Sequence, residues 1–506
     1  MTDLPDRSLT RGSLLARNVA LNLAGSALPA LAALVSVPIL VRALGDTRFG
    51  VLALAWTTLG YFSLFDLGVG RAVTHAVADR LGSARNREIG GVVWASLAAL
   101  TPLGLGGCAL LLLLAPWLSD TLRVPAELRS EAVLAFRILA VAIPFTTTTG
   151  ALRGALEGKQ FFGAVNALRI PHGLFTFLGP LAALPFSHSL VPAAGMLTGG
   201  RVLLCAAHFV VCGRAIPGFV SARVGWTLAT ARQLVTFGGW MQVSHIVSPL
   251  MATLDRFVVG AVLGAGVVTY YAAPHELVTK LWLFTIAVLP VFFTALATTA
   301  TRDPERTRAL FDRLMRVTFG VLFLPALILV VLAPDILRVW LGPAFAAQST
   351  TVMQVLAIAV FVNTLGQGAY TLIQGLGRPD ITAKFHLAEL PFYALILWLL
   401  LPRFGLLGAA FAWSIRTAVD TALLLVTCPV LLRPARTTVT RTFVWLAGAA
   451  LVLIGCVFVS RTSARLPLAL AAIPLWVAIV WRQVLTAGER ALPFRSLIAE
   501  WRPEQA

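Results

Sequence analysis

The sequence predicts an all-α polytopic membrane protein with about fourteen transmembrane helices, arranged as two pseudo-symmetric six-helix lobes plus two extra C-terminal helices. Of 506 residues, 58% are hydrophobic and 12% are charged, whereas an ordinary soluble domain carries about 45–50% apolar and about 25% charged residues. With 40 basic and 22 acidic side chains, a soluble chain could not cover its surface once that much apolar material was inside. The third observation is that the chain divides at charged or turn-rich breaks into apolar runs of roughly 17–25 residues, the length a membrane helix needs.

The runs are 18–43, 49–78, 91–115, 131–156, 163–186, 191–213, 233–261, 268–298, 317–333, 349–376, 385–401, 405–431, 442–459 and 467–481. The first follows Arg7, Arg11 and Arg17. From Leu14 to Leu44 it is about twice the length of a signal-peptide core, so it reads as a retained span with a cytoplasmic N-terminus. Pro29, Pro38, Pro249 and Pro290 fall within spans, where neighbouring helices can satisfy the freed backbone groups. Segments assigned to the cytoplasm hold 24 basic residues and outer loops eight. That bias supports an even number of spans with both termini cytoplasmic. No connection exceeds about twenty residues, so the function resides within the membrane.

Three landmarks recur at one offset. Leu44-Gly45 matches Leu263-Gly264, Ala115-Pro116 matches Ala333-Pro334, and Gly158-Lys159 matches Gly377-Arg378, at 219, 218 and 219 residues. The expected lobes are 1–213 and 214–432, with spans thirteen and fourteen and a cytoplasmic tail in 433–506. Six spans per repeat keep the polarity of crossing, so the lobes are related by an axis along the membrane normal and enclose a central cleft.

The net charge of +18 follows the same topology rather than nucleic-acid binding. Five scattered cysteines with no C-x-x-C read as small hydrophobes, without disulfides or metal. Eight basic residues remain inside spans: Arg71, Arg137, Arg153, Arg169, Arg201, Arg256, Lys280 and Arg416. Five acidic ones accompany them: Asp66, Asp255, Glu276, Glu389 and Asp420. Each would cost at least ~2.5–3.5 kcal/mol facing lipid, so each should face a cleft or another charge. The balance of +3 favours an anionic cargo, although Arg153 and Arg169 lie near span ends and can snorkel.

Arg416 and Asp420, and Glu276 and Lys280, are four residues apart and form either local ion pairs or parts of a site. Asp66 sits within FDLGVG, where Gly68 and Gly70 also permit close helix packing. Asp255 and Arg256 are candidates for an outer gate, while His75, His172 and His208 read as structural groups. No Walker motif, H-E-x-x-H or G-x-S-x-G occurs, so neither direct ATP use, metal-dependent nor serine chemistry is indicated.

The stretch from Asn18 to Leu23, VRALGDTRFG at 41–50 and FDLGVGRAV at 65–73 resembles bacterial polysaccharide flippases of the Wzx type. Glu157-Gly158-Lys159 with Asn166, and Gln374 to Pro379, fit the same family, within the multidrug/oligosaccharidyl-lipid/polysaccharide exporter superfamily. The resemblance covers essentially the whole chain. It implies a non-enzymatic inner-membrane transporter without cofactors that moves a polyprenyl-pyrophosphate-linked oligosaccharide for surface polysaccharide such as O-antigen. A polymerase or glycosyltransferases are its expected partners, and nucleic acid is not. On that reading Arg71 and Lys280 meet the pyrophosphate, while Asp66, Glu276, Asp255 and Arg256 serve coupling or gating. The alternatives are a multidrug or lipid II exporter of the same superfamily, or a polyprenyl-dependent membrane glycosyltransferase or ligase.

Overall fold

The computed structural model describes residues 68–459 apart from 122–123, 188, 220, 222–226 and 264, together with separate positions within 17–52 and 467–476. Asp66, most of the second span's first half and most of the fourteenth span lie outside the described residues. The described secondary structure is helical, without strands among the described residues. Ten of its helices are long and apolar enough to cross a membrane. The all-α, multi-pass architecture expected from composition is therefore the one observed.

The helices in chain order are α1 (Val69–Gly82), α2 (Ile89–Thr121), α3 (Ala126–Gly158), α4 (Phe162–Ala183) and α5 (Leu190–Ala215). They continue as α6 (Leu228–Leu263), α7 (Ala265–Val278), α8 (Trp282–Thr299), α9 (Pro304–Val331) and α10 (Ala333–Leu341). The last four are α11 (Pro343–Gly375), α12 (Pro379–Phe404), α13 (Leu406–Leu431) and α14 (Arg436–Val459). Leu113, Leu203, Trp398, Val430 and Leu451 each expose at least 70% of their surface. Large apolar side chains turned outward at this density need hydrocarbon around them.

Two details differ from the expected spans. The run 268–298 is two helices, α7 and α8, joined by a 3-10 turn at Thr279–Leu281, and Lys280 sits on that turn. The run 317–333 belongs to a longer helix that begins at Pro304. Its added turns carry Arg306, Arg308, Arg313 and Arg316, so hydropathy alone ended the span where the helix leaves the apolar layer.

The chain forms two compact units. The first comprises residues 1–249, 286–304 and 373–387. Its core includes Val69, Val73, Val77, Val93, Leu152, Leu156 and Phe219. α1 and α3 pack backbone to backbone: a side chain on Gly154 would come within 2.2 Å of the Gly70 carbonyl oxygen. Gly150, Gly154 and Gly158 lie on one face of α3, the small-residue spacing that lets membrane helices approach closely. Gly68 (φ +68°) abuts Gly238 on α6, so the glycines flanking Asp66's motif serve helix approach.

Within the same unit the C-terminal half of α1 meets the start of α6, the ends of α8 and α11, and the turn before α12. His75 stacks on Phe237 at 4.8 Å, and its Nε2 lies 3.1 Å from the Gly375 carbonyl. Arg302 donates to the Ser83 carbonyl, and Gly82 presses on the backbone of Thr298.

The second unit comprises 250–285, 305–372 and 388–506. Its interior is built by α9 and α11, where Phe361 meets Phe319 and Phe323 edge-on, Phe319 packs on Trp445 of α14, and Phe319 and Phe323 pack on Trp476. Asp312 on α9 receives Thr438 and pairs with Arg316 and Arg441, which anchors the start of α14.

Candidate functional site

In the first unit α3, α4 and α5 enclose a cavity of about 240 Å³. α3 contributes Thr146, Thr149, Gly150 and Arg153, α4 contributes Arg169 and His172, and α5 contributes Arg201, Leu204 and His208. Within each helix these positions are three, four or seven apart, with Gly150 next to Thr149 on the same face, so each helix turns one face to the cavity. At 1.5 Å per residue, Arg201 lies about 17 Å from the start of α5, close to mid-membrane depth.

Three guanidinium groups line the cavity, and Arg153 faces Glu157 at 3.5 Å. Arg201 donates to the Leu197 carbonyl of its own helix at 2.9 Å. Arg169 donates to the Asn22 carbonyl at 2.8 Å. Asn166 holds the Asn22 side chain at 2.8 Å, and Asn22 in turn donates to the Ala287 carbonyl. Gly25 lies against them, and a side chain there would push the Asn166 amide and the Arg169 guanidinium aside.

His208 is 2% exposed. Its Nδ1 bonds to the Leu204 carbonyl at 2.9 Å, which makes Nδ1 the donor and leaves Nε2 a lone pair in the neutral ring. That Nε2 is buried with no partner among the described residues. Thr146, Thr147 and Thr149, three guanidinium groups and two imidazoles thus line a partly open volume with room for about eight waters at ~30 Å³ each. Such a set can hold a multiply charged oxyanion, since guanidinium groups match phosphate oxygens with paired donors.

The expected site residues fall in two places. Arg71 is half-buried in the first unit, with its guanidinium carbon 5.3 Å above the Phe293 ring. Asp66 lies outside the described residues, and Lys280, Glu276, Asp255 and Arg256 belong to the second unit. Glu276 pairs with Lys280 across one helical turn, and Lys280 is 57% exposed. Arg256 reaches both Glu276, at 3.8 Å, and His275 Nδ1, at 3.0 Å. Asp255 is fully buried; one carboxylate oxygen accepts from Tyr271 and the other from the Arg256 backbone N–H. Asp255 and Arg256 therefore support different neighbours, as adjacent residues on a helix do.

Also in the second unit, Arg416 on α13 faces Glu389 on α12 at 3.6 Å and lies near the rings of Tyr393 and Trp413. Glu389 at 3%, Arg416 at 5% and Asp420 at 5% exposure form a buried polar cluster. Arg416 and Asp420 stand four residues apart on α13, and the carboxylate Arg416 faces comes from another helix, Glu389 of α12.

His172 and His208, expected as structural groups, and Arg153 and Arg169, expected near span ends, all line this cavity. The sequence signal for it is a shared face: Thr149 and Arg153, Arg169 and His172, and Arg201 and His208 stand at helical spacing on consecutive spans.

The fold is that of a multidrug and toxic-compound extrusion transporter. A structure described as "Crystal structure of MATE in the straight conformation" superposes with a TM-score of 0.68, covering 85% of this chain and 96% of that one at 14% identity. An outward-facing multidrug resistance MATE family transporter of the MOP superfamily gives 0.67 at 13% identity, with the same coverage. At these identities the likeness concerns the fold alone.

The sequence comparisons are more specific. Residues 15–296 match the model of the polysaccharide biosynthesis protein family. A Shigella flexneri protein named "Putative O-antigen transporter" is 32% identical over 411 residues, 81% of this chain and 96% of its own length. The Escherichia coli K12 lipopolysaccharide biosynthesis protein WzxC is 23% identical over 362 residues, 70% of this chain and 68% of its own length. The chain belongs to the polysaccharide biosynthesis protein family, as the motifs at 41–50 and 65–73 led us to expect.

Proposed function

We propose that the chain flips a polyprenyl-pyrophosphate-linked oligosaccharide from the cytoplasmic to the outer leaflet of a bacterial inner membrane. It is a polysaccharide transporter rather than an enzyme, in keeping with relatives named for O-antigen transport and lipopolysaccharide biosynthesis. The observation that carries the finer reading is the cavity itself, where Arg153, Arg169 and Arg201 bring three guanidinium groups from three consecutive helices to one wall. A membrane protein retains such a cluster at a cost that an anionic ligand can offset. A pyrophosphate supplies that anion, while the polyprenyl tail stays in lipid.

Transport by alternating access of lobes 1–213 and 214–432 is part of the proposal, with the termini cytoplasmic as the distribution of basic residues supports. Arg71 and Lys280 are then secondary contacts along the path of the headgroup. Lys280 is already neutralised by Glu276, and Arg71 is engaged with Phe293. Asp255, Arg256 and Glu276 are proposed to adjust the second unit during the cycle.

The test is a deletion strain assayed for lipid-linked glycan by leaflet. The expected result is accumulation of the lipid-linked unit on the cytoplasmic face with loss of surface polysaccharide. Normal delivery to the outer leaflet, with the glycan left unpolymerised, would instead support a membrane glycosyltransferase or ligase. A cation exporter is the second reading, favoured by the buried Glu389 and Asp420. Hypersensitivity of the same strain to organic cations, with surface glycan intact, would establish it.

A further inference from the structure

A second cavity, of about 750 Å³, opens in the first unit between the start of α6 and the turn that leads into α12. It is separate from the arginine cavity and shares no residue with it. One wall is a single face of α6, formed by Arg232, Gln233, Thr236, Phe237 and Trp240. The opposite wall is Arg378, Asp380 and Lys384.

The second wall is built rather than incidental. Arg378 grips Asp380 with two parallel bonds, at 2.9 and 3.1 Å. Lys384 donates to the same carboxylate at 3.2 Å, and its ammonium lies 5.5 Å from the centre of the Trp240 ring. Asp380 thus fixes two cations, and holds Lys384 over the Trp240 ring. Arg232 adds a third and has no acidic partner among the ion pairs of the described residues, so three positive charges meet one negative.

The floor of the groove is Phe237, the ring on which His75 stacks. Gly377 (φ +81°) lies against the His75 imidazole, where an added Cβ would sit 3.4 Å away. The groove therefore opens directly above the place where α1, α6 and the α11–α12 turn close on one another. It is open to water on one side, and it offers an indole face, a fixed carboxylate, an amide, a hydroxyl and surplus positive charge. These groups match a phosphate-bearing sugar: pyranose C–H groups pack on an indole, hydroxyls bond to Asp380, Gln233 and Thr236, and phosphate oxygens meet Arg232 and Lys384.

We propose that this groove is a docking site for the phosphate-bearing saccharide headgroup of the cargo at the cytoplasmic face, occupied before the closure at His75 opens. The inference rests on the flippase reading and on its cytoplasmic orientation. An anionic phospholipid headgroup shares the phosphate chemistry but lacks the sugar ring that Trp240 would face.

The test uses the full-length protein in nanodiscs with two probes, a short-chain polyprenyl pyrophosphate and the same lipid carrying N-acetylglucosamine. Trp240→Ala should weaken binding of the glycosylated probe about three- to tenfold, the range of one aromatic contact, and leave the sugar-free probe within about twofold. Trp240→Phe should restore most of the sugar preference, which separates stacking from misfolding. Arg232→Ala should weaken both probes, and phosphatidylglycerol should not displace the glycosylated one. Equal binding of both probes by wild type and Trp240→Ala, or displacement by phosphatidylglycerol, overturns the docking site. The flippase reading fails separately, if the deletion strain still delivers lipid-linked glycan to the outer leaflet.

Discussion

Replacing Arg201 by Gln should move stability and ligand affinity in opposite directions. An arginine at the centre of a membrane helix costs about 2.5–3.5 kcal/mol. Arg201 recovers part of this through its bond to the Leu197 carbonyl and through the cavity it lines. About 1 kcal/mol is a reasonable remainder, and for a chain of this size that corresponds to a rise of about 1–2 °C in the melting point of the empty protein. The bound state behaves oppositely. A hydrogen bond to a charged partner contributes about 1.5–3 kcal/mol, so affinity for a lipid pyrophosphate should fall about 10- to 150-fold. Arg201→Lys keeps the charge without the paired donors and should fall between. The assay is thermal melting of purified protein with and without farnesyl pyrophosphate, alongside direct binding. If Arg201→Gln melts lower than wild type and binds within twofold, the guanidinium is a structural group. The anion cavity then has no basis.

Gly154→Leu should destabilise the chain by about 1–3 kcal/mol and reduce its yield in the membrane, because the new side chain meets the Gly70 carbonyl; unchanged melting would remove the α1–α3 crossing as a constraint. Arg416→Met should cost about 3–5 kcal/mol by leaving Glu389 buried without its cation, whereas Glu389→Gln should be far milder, and melting of both variants decides the asymmetry. Lys159, in the α3–α4 turn, donates to the Ala215 carbonyl, and burial holds its pKa below the ordinary lysine value of 10.5. The folded chain therefore releases this proton before the unfolded chain does. Stability should rise as pH climbs through the lowered pKa towards 10.5, and Lys159→Met should flatten that rise in a pH series of melting points.

How much of this was legible follows from what each residue depends on. Span existence is a composition property, so α2, α3 and α5 fall where hydropathy put them. Span ends depend on where helix propensity outlasts hydropathy, and α9 runs thirteen residues ahead of its apolar run (from 304 rather than 317) because polar residues such as Arg306 and Arg313 remain good helix formers. The family motif was legible because Gly68 and Gly70 report on backbone approach, which is a local demand. The cavity was not, because Arg153, Arg169 and Arg201 are separated by 16 and 32 residues and become neighbours only when three helices are packed. Glu389 and Arg416 meet for the same reason, across two helices. Sequence marks which charges are out of place in a membrane; it does not tell which of them share a wall.

That distinction explains why the excess charge is the better guide to function than any single motif. In the first unit the arginine cavity gathers three guanidinium groups from three helices on one wall. In the second, Asp255, Glu389 and Asp420 are almost fully buried, and Arg416 is the one cation buried to the same degree among the described residues. Pairing every charge within the protein would be the stable arrangement in hydrocarbon, and replacing the pairs by apolar residues would often be more stable still. A chain that does neither keeps sites whose occupant must arrive from outside. In the arginine cavity the donor geometry suits a phosphate, which is what a lipid-linked saccharide brings to the membrane and what a hydrophobic cation lacks. An Arg201→Gln protein that is sturdier when empty and weaker towards pyrophosphate is the behaviour this reasoning requires.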